Sequence, residues 1–543
     1  MSKKLPKFMT KGGPGDKDFK MSLLDGKVDT SSWFVRPLQE FDDDGRKRHR
    51  YRPNMLDKGT IAQQAKDQEI FFCDIPFTQL YMEIDGNYQT CCFAVPPKTH
   101  NVLNTTMKEW MEDAPAMNTI RAEMLDPDSE FKNVKRFCER CVNDEKRYGR
   151  SRRTACMKIH SNEPDYWEKV DRSAKLFNAS GMWAFDERII EIQLKMFGSE
   201  CNLDCYMCVH ANSTIRQKVA IEGGVWNDAI FEELDEMQLE KLHWVSRDKT
   251  EILKEKDVKQ DNAGGFTIPK FKVEEKIRNT VSMIDQTLEL APYTRSIKII
   301  GGEPLIMKKH YELLDKLIEM DEAKNIIIKY QTNLTEMKAG KHNIFNYIPH
   351  FKLVSMVASV DGIGETIEYM RRRCSWDKIV KNAEICNTYD NVDVDFNGLV
   401  SFLSVMRFYE VIDWCLENPI IDQINWAMLE TPPLLRVNNL PQKIKDDLIP
   451  KYEQWPDIQS ALEMPAERGL DIQEVFDYML DADEYYKGTK WEKHLFDVFP
   501  ELEEYYIPKE NRLLMSERNL SQNRLTGWLP GDSNNYPTNY VTE

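Results

Sequence analysis

Three cysteines fall within eight residues of the stretch MFGSECNLDCYMCVH, as Cys201, Cys205 and Cys208. Their C-x3-C-x2-C spacing lets three thiolates wrap one face of an iron–sulfur cube. A [4Fe–4S] cluster has four irons, so three thiolates leave one iron open. An open position is what chemistry needs, whereas a closed centre suits structure or electron transfer. A zinc site, or three incidental thiols, is the plainer alternative. A second set lies upstream: Cys73, twelve residues, Gly86, four residues, Cys91, then Cys138 and Cys141 in FCERC. A hairpin turning at Gly86 would bring Cys73 and Cys91 together, and FCERC, read as a short loop, would add two sulfurs. Four such thiolates can close a zinc ribbon or a fully ligated [4Fe–4S] cluster. Nine of the 12 cysteines lie between Cys73 and Cys208. In a reducing compartment such clustering indicates metal ligation more than disulfides.

The elements that must hold these thiols follow from periodicity. ERIIEIQLKMF, ahead of Cys201, predicts a strand with Ile190, Ile192, Leu194 and Met196 on one face. Five more strands are predicted at 296–300, 325–331, 352–360, 391–400 and 423–429. Helical patterns such as 310–320 and 408–417 separate several of them. Six strands alternating with helices predict a parallel α/β sheet or an incomplete barrel. Residues 70–92 predict a β-hairpin with DGN at its turn. TTMKEWMEDAPAMNTIRAEML predicts a helix capped by Thr105 or Thr106. About 100 residues separate the first two core strands, too many for a simple crossover. The highly charged stretch 220–265 is therefore read as an insertion, either a lid or a solvated surface element.

The cysteine triplet, placed just after a first strand, resembles the radical S-adenosylmethionine (SAM) superfamily. CNLDCYMC is similar to that family's CNxxCxxC form, with Leu203 and Met207 at its apolar positions. SIKIIGGEPLI then puts Gly301, Gly302, Glu303 and Pro304 directly after the second strand, which resembles the family's GGEP motif. Two glycines allow close backbone approach there, and acceptors can meet an ammonium. The resemblance spans about residues 185–430. It implies a partial (β/α)6 radical SAM barrel whose open iron chelates the amino and carboxylate groups of SAM. It further implies SAM contacts at Asn333, in a TN turn, at Ser359 and Asp361, in an SxDG segment, and at Asn397 in the fifth strand. The C-x(9–15)-G-x4-C arrangement resembles the twitch domain, the shortened SPASM module. It implies an auxiliary [4Fe–4S] cluster on Cys73, Cys91, Cys138 and Cys141, with Cys92 and Cys156 as spares. Such modules usually follow the core, and here the module precedes it.

The organisation expected is an irregular extension over 1–65, a cysteine-rich twitch domain over 66–160, a core over 185–430 and an acidic helical C-terminal region over 431–543 ending in a polar tail. The resemblance implies reductive cleavage of SAM to a 5′-deoxyadenosyl radical that abstracts hydrogen from a substrate. A peptide or protein substrate leads, small-molecule dehydrogenation stays open, and a flavodoxin- or ferredoxin-type reductant is expected. No catalytic acid or base is assigned. Gln193 and Lys195 share one strand face and are candidates for the barrel interior. The rival is a zinc-stabilised scaffold with an inactive barrel. The layout, with WEKHLFDVFPEL at 491–502, also resembles uncharacterised radical SAM proteins of tailed phages.

Composition narrows the setting. The 543 residues carry a net charge of −17, which disfavours nucleic acid and anionic membranes as partners. No apolar run approaches the ~20 residues of a membrane span. MSKKLPKFMTKGGPGDKDFK has no apolar h-region, so a cytoplasmic protein is expected. Residues 441–543 hold 21 Asp or Glu and 11 Lys or Arg, hence −10 of the −17. The basic run KRYGRSRRTACMK runs the other way. It is expected to be a solvated face or a partner for the acidic C-terminal region, with acidic peptide or nucleic acid as the alternative.

Overall fold

In a computed structural model, runs rich in Ile, Val and aromatic residues become the strands of one eight-stranded sheet. The structure describes residues 72–512 apart from 84–85, 93, 95–99, 127–128, 149–150, 161–164, 182, 184–186, 196–197, 209–212, 224, 226–258, 261–265, 268–281, 430–431 and 468–469. The extension at 1–65, most of the insertion at 220–265, the polar tail and Met196 lie outside the described residues.

The strands are β1 (Gln79–Met82), β2 (Tyr88–Gln89), β3 (Ile190–Leu194), β4 (Thr294–Ile299), β5 (Ile327–Thr332), β6 (Leu353–Ser359), β7 (Val392–Val400) and β8 (Gln423–Met428). Their order across the sheet is β8-β7-β6-β5-β4-β3-β1-β2. All neighbours are parallel except the β1–β2 hairpin. The fold is mixed α/β, and β3 to β8 stand in chain order with helices in several crossovers, such as Lys308–Glu319, Trp376–Cys386 and Phe408–Glu417. The N-terminal hairpin joins the same sheet, because β1 pairs with β3 from Gln79↔Glu191 to Met82↔Leu194.

Alternation gives the sheet two unlike faces. Ile192, Leu194, Ile297, Ile299, Ile328, Val354, Met356, Val394 and Phe396 are fully buried. They share a core with Leu313, Leu314, Leu317, Ile379, Val411 and Ile412 of those helices. Each such side chain contributes about 1.5–3 kcal/mol. The other face is polar: one register row runs Gln193, Lys298, Lys329, Ser355, Asp393 across five strands.

The cysteine-rich segment has its own core of Phe77, Trp167, Phe177 and Trp183. Arg121 is buried within it, donating to the carbonyls of Pro76 (2.8 Å) and Met111 (2.6 Å) and lying 4.8 Å from the Trp183 ring. The helix predicted over 105–125 is two helices, Met107–Asp113 and Pro115–Leu125. Thr106 caps the first in a capping box with Glu109, and Pro115, which has no N–H to continue it, starts the second. The C-terminal region is helical and joins the main core through Leu448, Tyr452, Trp455, Ile458, Val475 and Phe476. No helix among the described residues is long and apolar enough to cross a membrane.

Candidate functional site

The loops that follow β3 and β4 are built against each other. Gly301 has φ +138°, and an added Cβ there would stand 2.8 Å from the Gly198 carbonyl oxygen. A Cβ on Gly302 would stand 2.1 Å from the Glu200 oxygen, far inside van der Waals contact. Only two glycines allow this approach. It is held by Gly302 N–H on Gly198 O (3.4 Å) and Glu303 N–H on Glu200 O (2.7 Å). The glycine pair thus abuts the residue preceding Cys201.

Glu303 is fully buried. Its carboxylate accepts from Leu305 N–H (3.1 Å), Thr332 Oγ1 (2.7 Å) and Asn333 N–H (2.6 Å). Burial pushes its pKa up to about 7 against the pull of those hydrogen bonds. The side chain therefore ties the β4 loop to the end of β5, and Pro304 is buried in the short turn Pro304–Ile306 beside it. Asn333 donates to Asn202 Oδ1 (2.8 Å), and Asn202 donates to Thr335 Oγ1 (2.8 Å). The cysteine loop is thereby stitched to the turn after β5.

Asp204–Cys205 pairs antiparallel with Arg371–Arg372 as a two-residue ribbon. Arg371 donates to Cys205 Sγ at 3.6 Å and to Asp361 Oδ2 at 2.7 Å. Asp361 is buried, and its other oxygen accepts from Leu399 N–H (2.8 Å). Both Asp361 oxygens are thus engaged in holding Arg371 and β7. Ser359, at the end of β6, accepts from Gln331 Nε2 (3.0 Å). Met207 is buried in the main core. Burial raises the Cys201 thiol to about 12, with Cys205 adding to it, and the Cys205 thiol to about 11 against the pull of Arg371. Cys208 is raised by burial and then by Cys205 and Cys201, so the three thiols feel one another.

The C-terminal helix Ile472–Tyr486 braces this loop. Buried Arg216 pairs with Asp204 (2.7 Å) and meets Tyr478, Tyr478 donates to Tyr206 O (2.8 Å), and Tyr486 donates to Asp204 Oδ2 (3.1 Å). Arg372 pairs with Asp483, which also accepts from Tyr369 (3.1 Å).

The upstream set converges as well. Cys73, Cys91, Cys138 and Cys141 line one small cavity, together with Arg152 and Arg153. Burial raises the Cys73 thiol, and Asp74, Cys138 and Cys91 raise it further. Cys138 does not lie in a free loop: it ends helix Lys132–Phe137, and Cys141 lies in helix Glu139–Tyr148. Cys92 and Cys156 lie outside the cavity lining but near Arg152, and Cys374 lies beside Cys205 and Arg371. The basic run turns inward in part, with Arg153 paired to Glu145 (2.6 Å) instead of the C-terminal region. Gln193 and Lys195 have partners in Glu191 (2.9 Å) and Glu83 (2.9 Å). Among the described residues no three His, Cys, Asp or Glu side chains form a site for a single metal ion. A four-iron cube is larger than one ion and holds its thiolates farther apart.

Asn202, Arg371, Arg216, Tyr478 and Asp483 were not singled out from the sequence. Asn202 stands inside the cysteine motif and was within reach; the others come from distant segments with no spacing signal.

No family model matches this sequence, and no curated protein matches it significantly. Among solved structures, SuiB of Streptococcus suis bound to its precursor peptide SuiA is similar at 14% identity and TM-score 0.27, over 64% of this chain. The match spans 56% of that protein's length. SuiB bound to S-adenosylmethionine is similar at 13% identity and TM-score 0.28, over 63% of this chain and 68% of that one. A further SuiB structure matches at 13% identity and TM-score 0.28, over 72% and 68%. Likeness at this level carries no inference about this chain's chemistry.

Proposed function

We propose that the protein is a radical SAM enzyme acting on a peptide or protein, with a twitch-type auxiliary cluster in its N-terminal segment. One observation carries the reading. The three-cysteine loop and the Gly301–Pro304 turn, motifs about 100 residues apart, meet backbone to backbone at the C-terminal ends of adjacent parallel strands. In parallel α/β folds that edge is the reactive one.

The residues fit the groups proposed. Three thiols on one loop suit a cube with one iron open, and four thiols around one cavity suit a closed centre. The glycine pair, which admits no Cβ, sets the β4 loop directly against the cysteine loop, where the resemblance puts the SAM amino group. When bound, a [4Fe–4S] cluster and SAM supply one-electron cleavage to a 5′-deoxyadenosyl radical that takes a hydrogen atom from substrate.

The chain's own residues do the rest. Cys201, Cys205 and Cys208 would hold the first cluster, and Cys73, Cys91, Cys138 and Cys141 the auxiliary one. Arg371 sets positive charge against Cys205, and Asp361 orients Arg371. Glu303 fixes the distance between the glycine pair and the turn after β5, and Asn333 holds the cysteine loop through Asn202. Ser359 and Gln331 line the same edge.

The test is anaerobic reconstitution with iron and sulfide, then dithionite and SAM, assayed for 5′-deoxyadenosine. A brown protein with roughly eight irons per chain that forms the product is expected. Colourless, zinc-bearing protein without product would replace this reading with the scaffold one.

A further inference from the structure

The polar face of the sheet is not uniform. Toward β3–β5 it carries Lys329, paired with Glu191 at 2.7 Å, and Lys298 in register beside it. Toward β7 and β8 it carries acceptors instead. Asp393, Asp395 and Asn397 alternate along β7 with buried Val392, Val394 and Phe396. Asn397 lies in register between Ser359 of β6 and Asn425 of β8. Three oxygens here are sealed from solvent and have no hydrogen-bond partner: Asp395 Oδ1, Asn397 Oδ1 and Asn425 Oδ1. Asn425 is 5% exposed. Among the described residues Asp395 forms no ion pair. Its carboxyl is held toward the neutral form by burial and then by Asp393 and Asp422. Asp422 Oδ2 is occupied by Val394 N–H (2.7 Å) and supplies no donor.

Buried acceptors are nearly always satisfied, and three orphaned ones on adjacent positions of one face call for a shared partner. An ammonium presents three donors and a guanidinium five, with no acceptor. We infer that Asp395, Asn397 and Asn425 receive a cationic side-chain head of the substrate, an ammonium or a guanidinium, which takes Asn397 out of the SAM contacts that the resemblance implied. This rests on the peptide-modifying reading and narrows its substrate class to a segment bearing lysine or arginine. The acceptors lie on β7 and β8 of the same parallel sheet in which β3 and β4 lead into the cysteine and glycine loops. The protein's own lysines stand across the face on β4 and β5, with Lys329 engaged by Glu191, and leave the β7–β8 flank to the ligand.

The test uses full-length protein, reconstituted anaerobically and saturated with SAM without reductant. Three acetylated and amidated tripeptides, Ala-Lys-Ala, Ala-Arg-Ala and Ala-Gln-Ala, are titrated by ligand-observed NMR. One or both cationic peptides should bind roughly tenfold or more tightly than the glutamine peptide. Which of the two binds tells ammonium from guanidinium. Asp395→Asn, isosteric with the neutral acid, should abolish the preference, and Asn425→Leu should weaken it. Equal binding of all three peptides to the wild type, or a preference kept in both variants, overturns the inference. The readout is binding, so a wild type that makes no 5′-deoxyadenosine with reductant sinks the enzyme reading separately.

Discussion

Replacing Gly302 with alanine tests the junction on which the proposed site depends. The new Cβ would stand 2.1 Å from Glu200 O, 2.6 Å from Glu200 C and 2.7 Å from Ser199 C. These are main-chain atoms, so no rotamer change relieves the overlap. Ordinary carbon–oxygen contact needs roughly 3.2–3.5 Å, so the two loops must part by about 1 Å. The Glu303 N–H to Glu200 O bond, 2.7 Å in the wild type, is then broken. Overpacking of this kind costs about 1–3 kcal/mol, and the lost hydrogen bond about 1 kcal/mol more. Because Glu200 precedes Cys201, the same movement carries the first thiol away from its neighbours. A displacement of ~1 Å at a reacting centre costs about 100-fold in rate. The assay is 5′-deoxyadenosine formation by reconstituted protein, with SAM affinity and thermal midpoint measured on the same sample. Gly488→Ala is the control: φ is +73° and nothing lies within 4 Å of an added Cβ, so it loses stability through the backbone alone. Gly302→Ala should lose affinity and rate by at least tenfold more than Gly488→Ala. Wild-type affinity and rate in Gly302→Ala would refute the reasoning.

Other outcomes follow from the same geometry. Cys201→Ala should abolish 5′-deoxyadenosine, whereas Cys138→Ala should lower iron from roughly eight to roughly four per chain, read by iron assay. Arg371→Met removes a positive charge 3.6 Å from Cys205 Sγ. A cluster held by that thiolate would lose a nearby compensating charge, and its potential should fall, by on the order of 100 mV, in an EPR-monitored redox titration. Arg372→Met strands Asp483, buried at the brace between the C-terminal helix and the ribbon, and should cost about 3 kcal/mol in a urea titration. Burial would raise the Glu191 carboxyl, but Lys329 and Arg295 more than offset it and hold it well below 4.5. Its contribution is therefore present above the unfolded value and lost as pH falls through the folded one. Glu191→Gln should flatten the fall of the urea midpoint below about pH 4.5.

The strands were legible because each core strand carries its own hydrophobic pattern: QINWAM, VDVDFNGLV and IIKYQT stand where periodicity puts them. The helix over 105–125 was over-extended, since a 3.6-residue stripe runs on through Pro115 while the backbone does not. FCERC read as a loop because two cysteines and three charged or aromatic residues carry no helical stripe, and neighbouring side chains supply the packing that makes it helical. The Glu303 side chain, which the resemblance offers as a SAM contact, accepts hydrogen bonds from Leu305, Thr332 and Asn333 that spacing alone did not show. Motif spacing names a residue and does not say which way its side chain turns.

What the sequence by itself determined is local: the two cysteine spacings, the glycine pair directly after a strand pattern, and the six strand patterns. Each depends on residues adjacent in the chain, whose geometry covalent bonds limit. Tertiary structure alone decided the rest. It set β1 beside β3, turned the C-terminal helix into a brace for the cysteine loop, and brought Arg371 to Cys205 across 166 positions. It also lined up Asp395, Asn397 and Asn425 without donors. Such contacts depend on strand register and on which face packs inward, and the free energy of the whole core selects both.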